Sequence, residues 1–225
     1  MASVILAGAF MFTCCNKEGG ITITDGQWID LGLPSGILWA AYNVGASSPV
    51  ANGDYFAWGE TQTKEEYSAA TYKYCRYHSG SERYYFTKYC NKSFEGYEGF
   101  TDNLTILESS DDAATAQWGG GARTPTKEDW QELLDNTTEQ IVEVNGAKGC
   151  LFTASNGRNI FVPIAGNYSP YHITDGFRGS YLSSSLDTSN PQHNYYLSCG
   201  GERASVSPNG DRTKGTVVRP VRSAK

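Results

Sequence analysis

The sequence carries no long hydrophobic run of the length a membrane-spanning helix needs. Ala2 to Phe12 is apolar but falls short of the roughly 20 residues required. Lys and Arg form no cluster and the formal net charge is −6. Nucleic acid is therefore not an expected partner, because phosphate neutralisation needs a basic patch. Histidine is scarce: His78, His172 and His193 are far apart and fall at no ligand spacing, so no zinc site is expected. No nucleophile-elbow sequence, heptad, tandem repeat or acidic tail is present. Asn190-Pro191-Gln192 lacks the carboxylate that hard Ca²⁺ favours, and Pro191 reads as a turn residue. No metal, no cofactor and no catalytic residue are expected.

What is present points to recognition or to half-buried strands. The 225 residues suit one domain with a leader and a small insertion. Tyr leads the aromatics with 15 copies. Tyr supplies rigid contact area with a polar tip, which suits a binding surface, and it also suits half-buried strand positions.

The apolar Ala2–Phe12 run has the length of a signal-peptide core, and Thr13-Cys14-Cys15-Asn16-Lys17-Glu18 follows it. This resembles a bacterial lipoprotein cleavage site of the Bacteroidota type, with lipidation expected at Cys15 (or Cys14). Residues 1–20 are expected to be leader and anchor. The domain 21–225 is then exported to the outer membrane and cell surface, touching the membrane through its lipid alone. An ordinary cleaved signal is the alternative.

Export permits disulfides. Cys75 and Cys90 sit in matching contexts, Tyr72-Lys73-Tyr74-Cys75 and Thr87-Lys88-Tyr89-Cys90. Two such strands would form a hairpin stapled by Cys75 and Cys90. Pairing of Cys150 with Cys199 stays open, since four cysteines allow three connectivities.

Periodicity predicts an α+β chain of short antiparallel strands with one clear helix. Thr126 caps that helix, Asp129 completes a capping box, and Trp130, Leu133 and Leu134 give apolar spacing. A short helical turn is expected near Ser110. Asn145-Gly146 and Asn156-Gly157 mark hairpin turns between apolar runs. Residues 61–103 are Tyr-rich, polar and aperiodic, and read as an insertion.

Several blocks carry a resemblance. They are Trp28-Ile29-Asp30-Leu31-Gly32-Leu33-Pro34-Ser35-Gly36, Gly53-Asp54-Tyr55-Phe56-Ala57-Trp58-Gly59-Glu60, Arg123-Thr124-Pro125-Thr126, Ser183-Ser184-Ser185 and Val218-Arg219-Pro220-Val221. In this order, over about residues 26–222, they resemble the Fibrobacter succinogenes-type major paralogous domain of gut Bacteroidota surface proteins. The resemblance implies a C-type-lectin-like fold of the branch shared with formylglycine-generating enzymes. Some members are variable proteins of diversity-generating retroelements, and Phe177–Lys214 resembles their hypermutated segment. Strand alternation then turns Tyr195, Leu197 and Cys199 inward and Asn194, Tyr196 and Ser198 outward. The expected display face adds Phe177, Arg178, Ser180, Gln192, His193, Glu202, Arg203, Ser205, Asn209, Asp211, Arg212 and Thr213.

Three functions compete at this point. One is a surface-displayed protein binding a protein or glycan ligand at a cell or phage surface. Another is a non-diversified adhesin or structural lipoprotein of the same fold. An enzyme of the sulfatase-modifying type would need a redox-active thiol, and no basic or His neighbour stands beside Cys150 or Cys199 to lower a thiol pKa; the chain is expected not to be an enzyme.

Overall fold

The structure is a computed structural model describing residues 21–174 and 177–224. The expected leader, with Cys14 and Cys15, lies outside the described residues. The first strands are β1 (Trp28–Asp30), β2 (Ile37–Ala40), β3 (Tyr55–Phe56), β4 (Cys75–His78) and β5 (Arg83–Phe86). Two helices follow, α1 (Ala113–Trp118) and α2 (Lys127–Asn136). Next come β6 (Thr137–Val144), β7 (Ala147–Ala154), β8 (Asn159–Pro163), β9 (Asn167–Tyr168) and β10 (Ile173–Thr174). The last five are β11 (Gly179–Leu186), β12 (His193–Cys199), β13 (Ser205–Asp211), β14 (Thr216–Val217) and β15 (Val221–Ser223). The class is α+β, mostly short strands with little helix.

Local chemistry explains the elements. Asn145 and Gly146 both take positive φ, 49° and 79°, and this turn feeds β6 back onto β7 in full antiparallel register. Thr126 Oγ1 accepts from the Asp129 amide at 3.1 Å, and Asp129 Oδ2 accepts from the Thr126 amide at 2.7 Å, which closes the capping box of α2. The turn expected near Ser110 is a 3₁₀ turn, Ser109–Asp111, and α1 grows beyond it because Asp112 Oδ1 accepts from the Ala114 amide. Pro220 ends the last apolar run early, so β14 and β15 join different sheets.

The largest sheet runs β13-β12-β11-β14-β3, and β1-β2-β15 brings the two ends of the described chain together. The core between them is aromatic. Trp39 stacks on Trp130 with centroids 4.7 Å apart, and Trp58 meets Tyr89 edge-on at 5.0 Å. After Leu182 the ladder between β11 and β12 breaks. The freed backbone finds other partners: Trp130 Nε1 donates to Leu182 O at 3.1 Å, and Trp58 Nε1 donates to Ser183 O at 2.8 Å. The Ser184 amide donates to Pro125 O at 2.7 Å. Buried polar backbone is thus satisfied by two indoles and the entry to α2, and the Ser183-Ser184-Ser185 run is held deep in the molecule.

From the Tyr-rich residues 61–103, Tyr67, Tyr72, Tyr74 and Tyr89 pack into the main core. One expectation is corrected here. Cys75 and Cys90 form no bridge; both thiols are free. A hairpin does form from β4 and β5, but its register sets Phe86, not Cys90, opposite Cys75. Cys90 lies beyond the hairpin and its thiol donates to Lys92 O at 3.2 Å.

Candidate functional site

Strands β11, β12 and β13 are adjacent and antiparallel, so residues distant in sequence meet on one face. On that face lies a polar cavity of about 190 Å³. Ser180, Asn194, Tyr196, Asn209 and Asp211, all expected display residues, contribute to its wall. Leu182, Gly210 and Lys214 join them, with Asn167 from β9 and Thr216 from β14.

The cavity is built by hydrogen bonds. Asn167 is a hinge between two walls: its Nδ2 donates to Ser180 Oγ at 3.1 Å, and its Oδ1 accepts from Thr216 Oγ1 at 3.2 Å. Asn194 is 1% exposed; its Nδ2 donates to Tyr195 O at 2.7 Å while its Oδ1 has no donor. A buried unpaired carbonyl costs roughly 1–3 kcal/mol. Gly210 makes the arrangement possible, because a Cβ there would stand 2.9 Å from Asn194 O and 3.0 Å from Asn194 Oδ1. At the rim, Asp211 Oδ1 accepts from the Thr213 amide at 3.0 Å and Lys214 Nζ lies 3.9 Å from Asp211 Oδ2.

Alternation along β12 is obeyed for part of its length. Asn194 and Tyr196 share the cavity side, while Leu197 and Cys199 are core. Opposite Tyr195 the register with β13 shifts, since two steps on β12 face three on β13. The extra β13 residue falls at Pro208-Asn209, where proline has no amide to donate. Tyr195 is accordingly half-exposed, with Lys127 Nζ 4.5 Å over its ring. Asn194, Ser180 and Ser198 are buried rather than displayed, at 1%, 7% and 7% exposure.

Arg212 is the clearest correction. It was expected on the display face and is fully buried. Its Nη1 donates to Pro191 O at 2.7 Å and Tyr89 O at 2.9 Å, and its Nη2 donates to Lys88 O at 3.2 Å. The guanidinium is packed against Phe86 and Trp58, at 4.3 and 4.7 Å from their centroids. Alternation could not show this, because β13 ends at Asp211 and Arg212 turns into the core after it.

The other expected residues scatter. Phe177, Arg178, Gln192 and Ser205 are exposed, and Thr213 is half-exposed. The half-buried His193 ring lies 3.3 Å from Asn190 Nδ2. Glu202 and Arg203 border a separate depression of about 560 Å³ beside Glu139 and Phe152. Asn167 and Thr216 had no local signal in the sequence; only the packing of β9 and β14 brings them in.

The four described thiols are free and buried. Burial pushes the Cys75 thiol up to about 11. A hydrogen bond with Cys199, together with burial, pushes Cys150 far above the ordinary thiol range. Among the described residues no group of three His, Cys, Asp or Glu gathers as metal ligands, and no helix is long and apolar enough to cross a membrane. A scan of protein-family models and searches of curated proteins and of solved structures return no match to this chain.

Proposed function

We propose that this chain is an exported surface lipoprotein of C-type-lectin-like fold that binds a ligand through the β11–β12–β13 face. One observation carries the reading. Residues of five strands, β9, β11, β12, β13 and β14, converge on one polar cavity that includes a buried, unpartnered acceptor, Asn194 Oδ1. Asn194 Oδ1 has no donor within the described residues, and an N–H or O–H of a ligand entering the cavity would pair it. The resemblance to the Fibrobacter succinogenes-type domain and its variable segment supports the same face. The raised thiols favour binding over sulfatase-type oxidation, since a catalytic cysteine needs its thiolate.

The burial of Arg212, Leu197 and Cys199 qualifies any diversification. Variation in Phe177–Lys214 must spare those three and fall on Phe177, Arg178, Tyr196, Asn209 and Asp211. Sequencing the neighbouring DNA for a near-copy of these codons beside a reverse transcriptase distinguishes a diversified binder from a fixed adhesin. Binding itself is tested by probing arrays of bacterial glycans and surface proteins with the wild type and with a Tyr196→Ala/Asn209→Ala variant. Hits that the variant loses, at unchanged melting temperature, are the expected result. Hits retained in full would remove the cavity from the reading.

A further inference from the structure

A second concavity, of about 620 Å³, lies against the β1-β2-β15 sheet and the end of α1. Gln27, Trp28, Tyr42, Gln117, Trp118 and Arg222 line it. We propose that this groove is a saccharide site and that the sugar it takes carries a carboxylate.

The volume is within the roughly 300–1,000 Å³ range of ligand clefts. Its walls are aromatic and half-buried outside the central core. Trp118 meets Trp28 at 5.4 Å and 82°, and Tyr42 at 5.4 Å and 59°. These rings form a corner, not the parallel ridges that grip a polyproline helix. Aromatic faces in a corner present apolar area to the C–H face of a pyranose ring, and their polar tips stay near solvent. Amides flank them. Gln117 Nε2 is committed to Thr61 O at 2.8 Å, which orients the side chain and leaves Oε1 to accept from a sugar hydroxyl.

The rim explains itself only partly by packing. Gly119, Gly120 and Gly121 all take positive φ, and a Cβ on any of them would meet open space. The loop folds back through the Ala122 amide onto Gly119 O at 2.8 Å. Glycine is thus required for backbone shape, and the result is an uncovered approach to Trp118.

Charge selects the ligand. Arg222 is the one ionisable side chain with full charge among the lining residues, and no Asp or Glu lines the groove. Its guanidinium stacks 4.6 Å from the Trp28 centroid. Its Nε is buried without an acceptor, and no described carboxylate pairs with it. Arg219, by contrast, places its donors on Asn43 Oδ1, Ala40 O and Phe161 O. A planar guanidinium held by stacking, with no carboxylate partner among the described residues, matches a carboxylate fork through its Nη groups.

The test titrates trigalacturonate, 3′-sialyllactose, lactose and a ten-residue polyproline peptide into the protein, read by calorimetry and tryptophan fluorescence. At least one acidic sugar is expected to bind about tenfold or more tightly than lactose. Arg222→Gln and Trp118→Ala are each expected to weaken it by about tenfold or more. Exposed Gln117→Ala serves as the third variant should Trp118→Ala fail to fold. Tyr196→Ala is expected to leave this binding unchanged, which separates the groove from the β11–β12–β13 face. The proposal is overturned if neither acidic sugar binds, if lactose binds equally, or if polyproline displaces the sugar. Binding that survives Arg222→Gln but falls with Tyr196→Ala overturns it as well.

Discussion

Two arginines, Arg212 and Arg219, are fully buried and neither forms an ion pair among the described residues. Backbone carbonyls take their donors instead, from segments far apart in sequence. Each therefore acts as a cross-brace, and truncating it orphans several carbonyls at once. Arg212→Met orphans three carbonyls, each at a cost of roughly 1–3 kcal/mol, and is expected to lose at least about 3 kcal/mol by urea denaturation, while Arg178→Met, on an exposed side chain, stays within about 0.5 kcal/mol of the wild type. Asp111 is the acidic counterpart. Its Oδ2 accepts from Lys88 Nζ at 2.6 Å and Tyr89 Oη at 2.8 Å, and its Oδ1 from Lys73 Nζ at 3.1 Å. Burial alone would raise its pKa, but these donors together hold the carboxyl well below the ordinary range. A depressed folded-state pKa stabilises above the unfolded value of about 3.9 and loses that stability as pH falls through the folded value. Asp111→Asn is thus expected to lose about 3 kcal/mol at pH 7. The deficit relative to wild type should shrink in urea melts taken below about pH 4. A deficit unchanged down to pH 2 would show that packing, not charge, accounts for it. No sequence pattern marks either role: Arg212 lies next to an outward strand, and Asp111 finds Lys73 and Lys88 only through the fold.

At the scale of elements, legibility follows the range of the interaction. The capping box of α2 involves four consecutive residues, so Thr126, Asp129 and Trp130 could be read directly from the chain. The β6–β7 turn at Asn145-Gly146 was legible for the same reason. Thr126→Ala is expected to cost about 1 kcal/mol, seen as a lower urea midpoint at unchanged m-value. The loss should be more than local, because the entry to α2 also supplies Pro125 O to the Ser184 amide. Strand faces were legible until a ladder broke. Asn194 and Tyr196 reach the same cavity as alternation requires, yet the bulge in β13 and the closing walls bury Asn194. The Tyr-rich stretch before α1 has no period to read, because its tyrosines are placed one by one. Tyr67 donates to Tyr55 O at 2.5 Å and Tyr72 donates to Trp58 O at 2.7 Å, each filling core with the ring and satisfying the hydroxyl on backbone.

The two ends of the described chain are tied together, and its four described thiols can report whether it opens as one unit. β15 pairs with β2, and Arg219 fastens β2 and β8 to the chain just before β15. Cys75 and Cys90 lie in the Tyr-rich part, and Cys150 and Cys199 lie in β7 and β12. All four are buried and free. Iodoacetamide at pH 8 is expected to label none of them in the folded protein, since burial hides the sulfurs and the raised thiols of Cys75, Cys90 and Cys150 offer little thiolate. Across a urea series, mass spectrometry of the labelled peptides should give one midpoint for all four, coincident with the loss of circular dichroism. Labelling of Cys75 and Cys90 at lower urea would make the Tyr-rich stretch a separately opening unit, despite its place in the core. Failure of Cys75 and Cys90 to label after full unfolding, reversed by reductant, would restore the bridge between them. That outcome would require β4 and β5 to abandon the register that sets Phe86 opposite Cys75, so the labelling pattern tests the hairpin, the core and the cooperativity of the fold in one measurement.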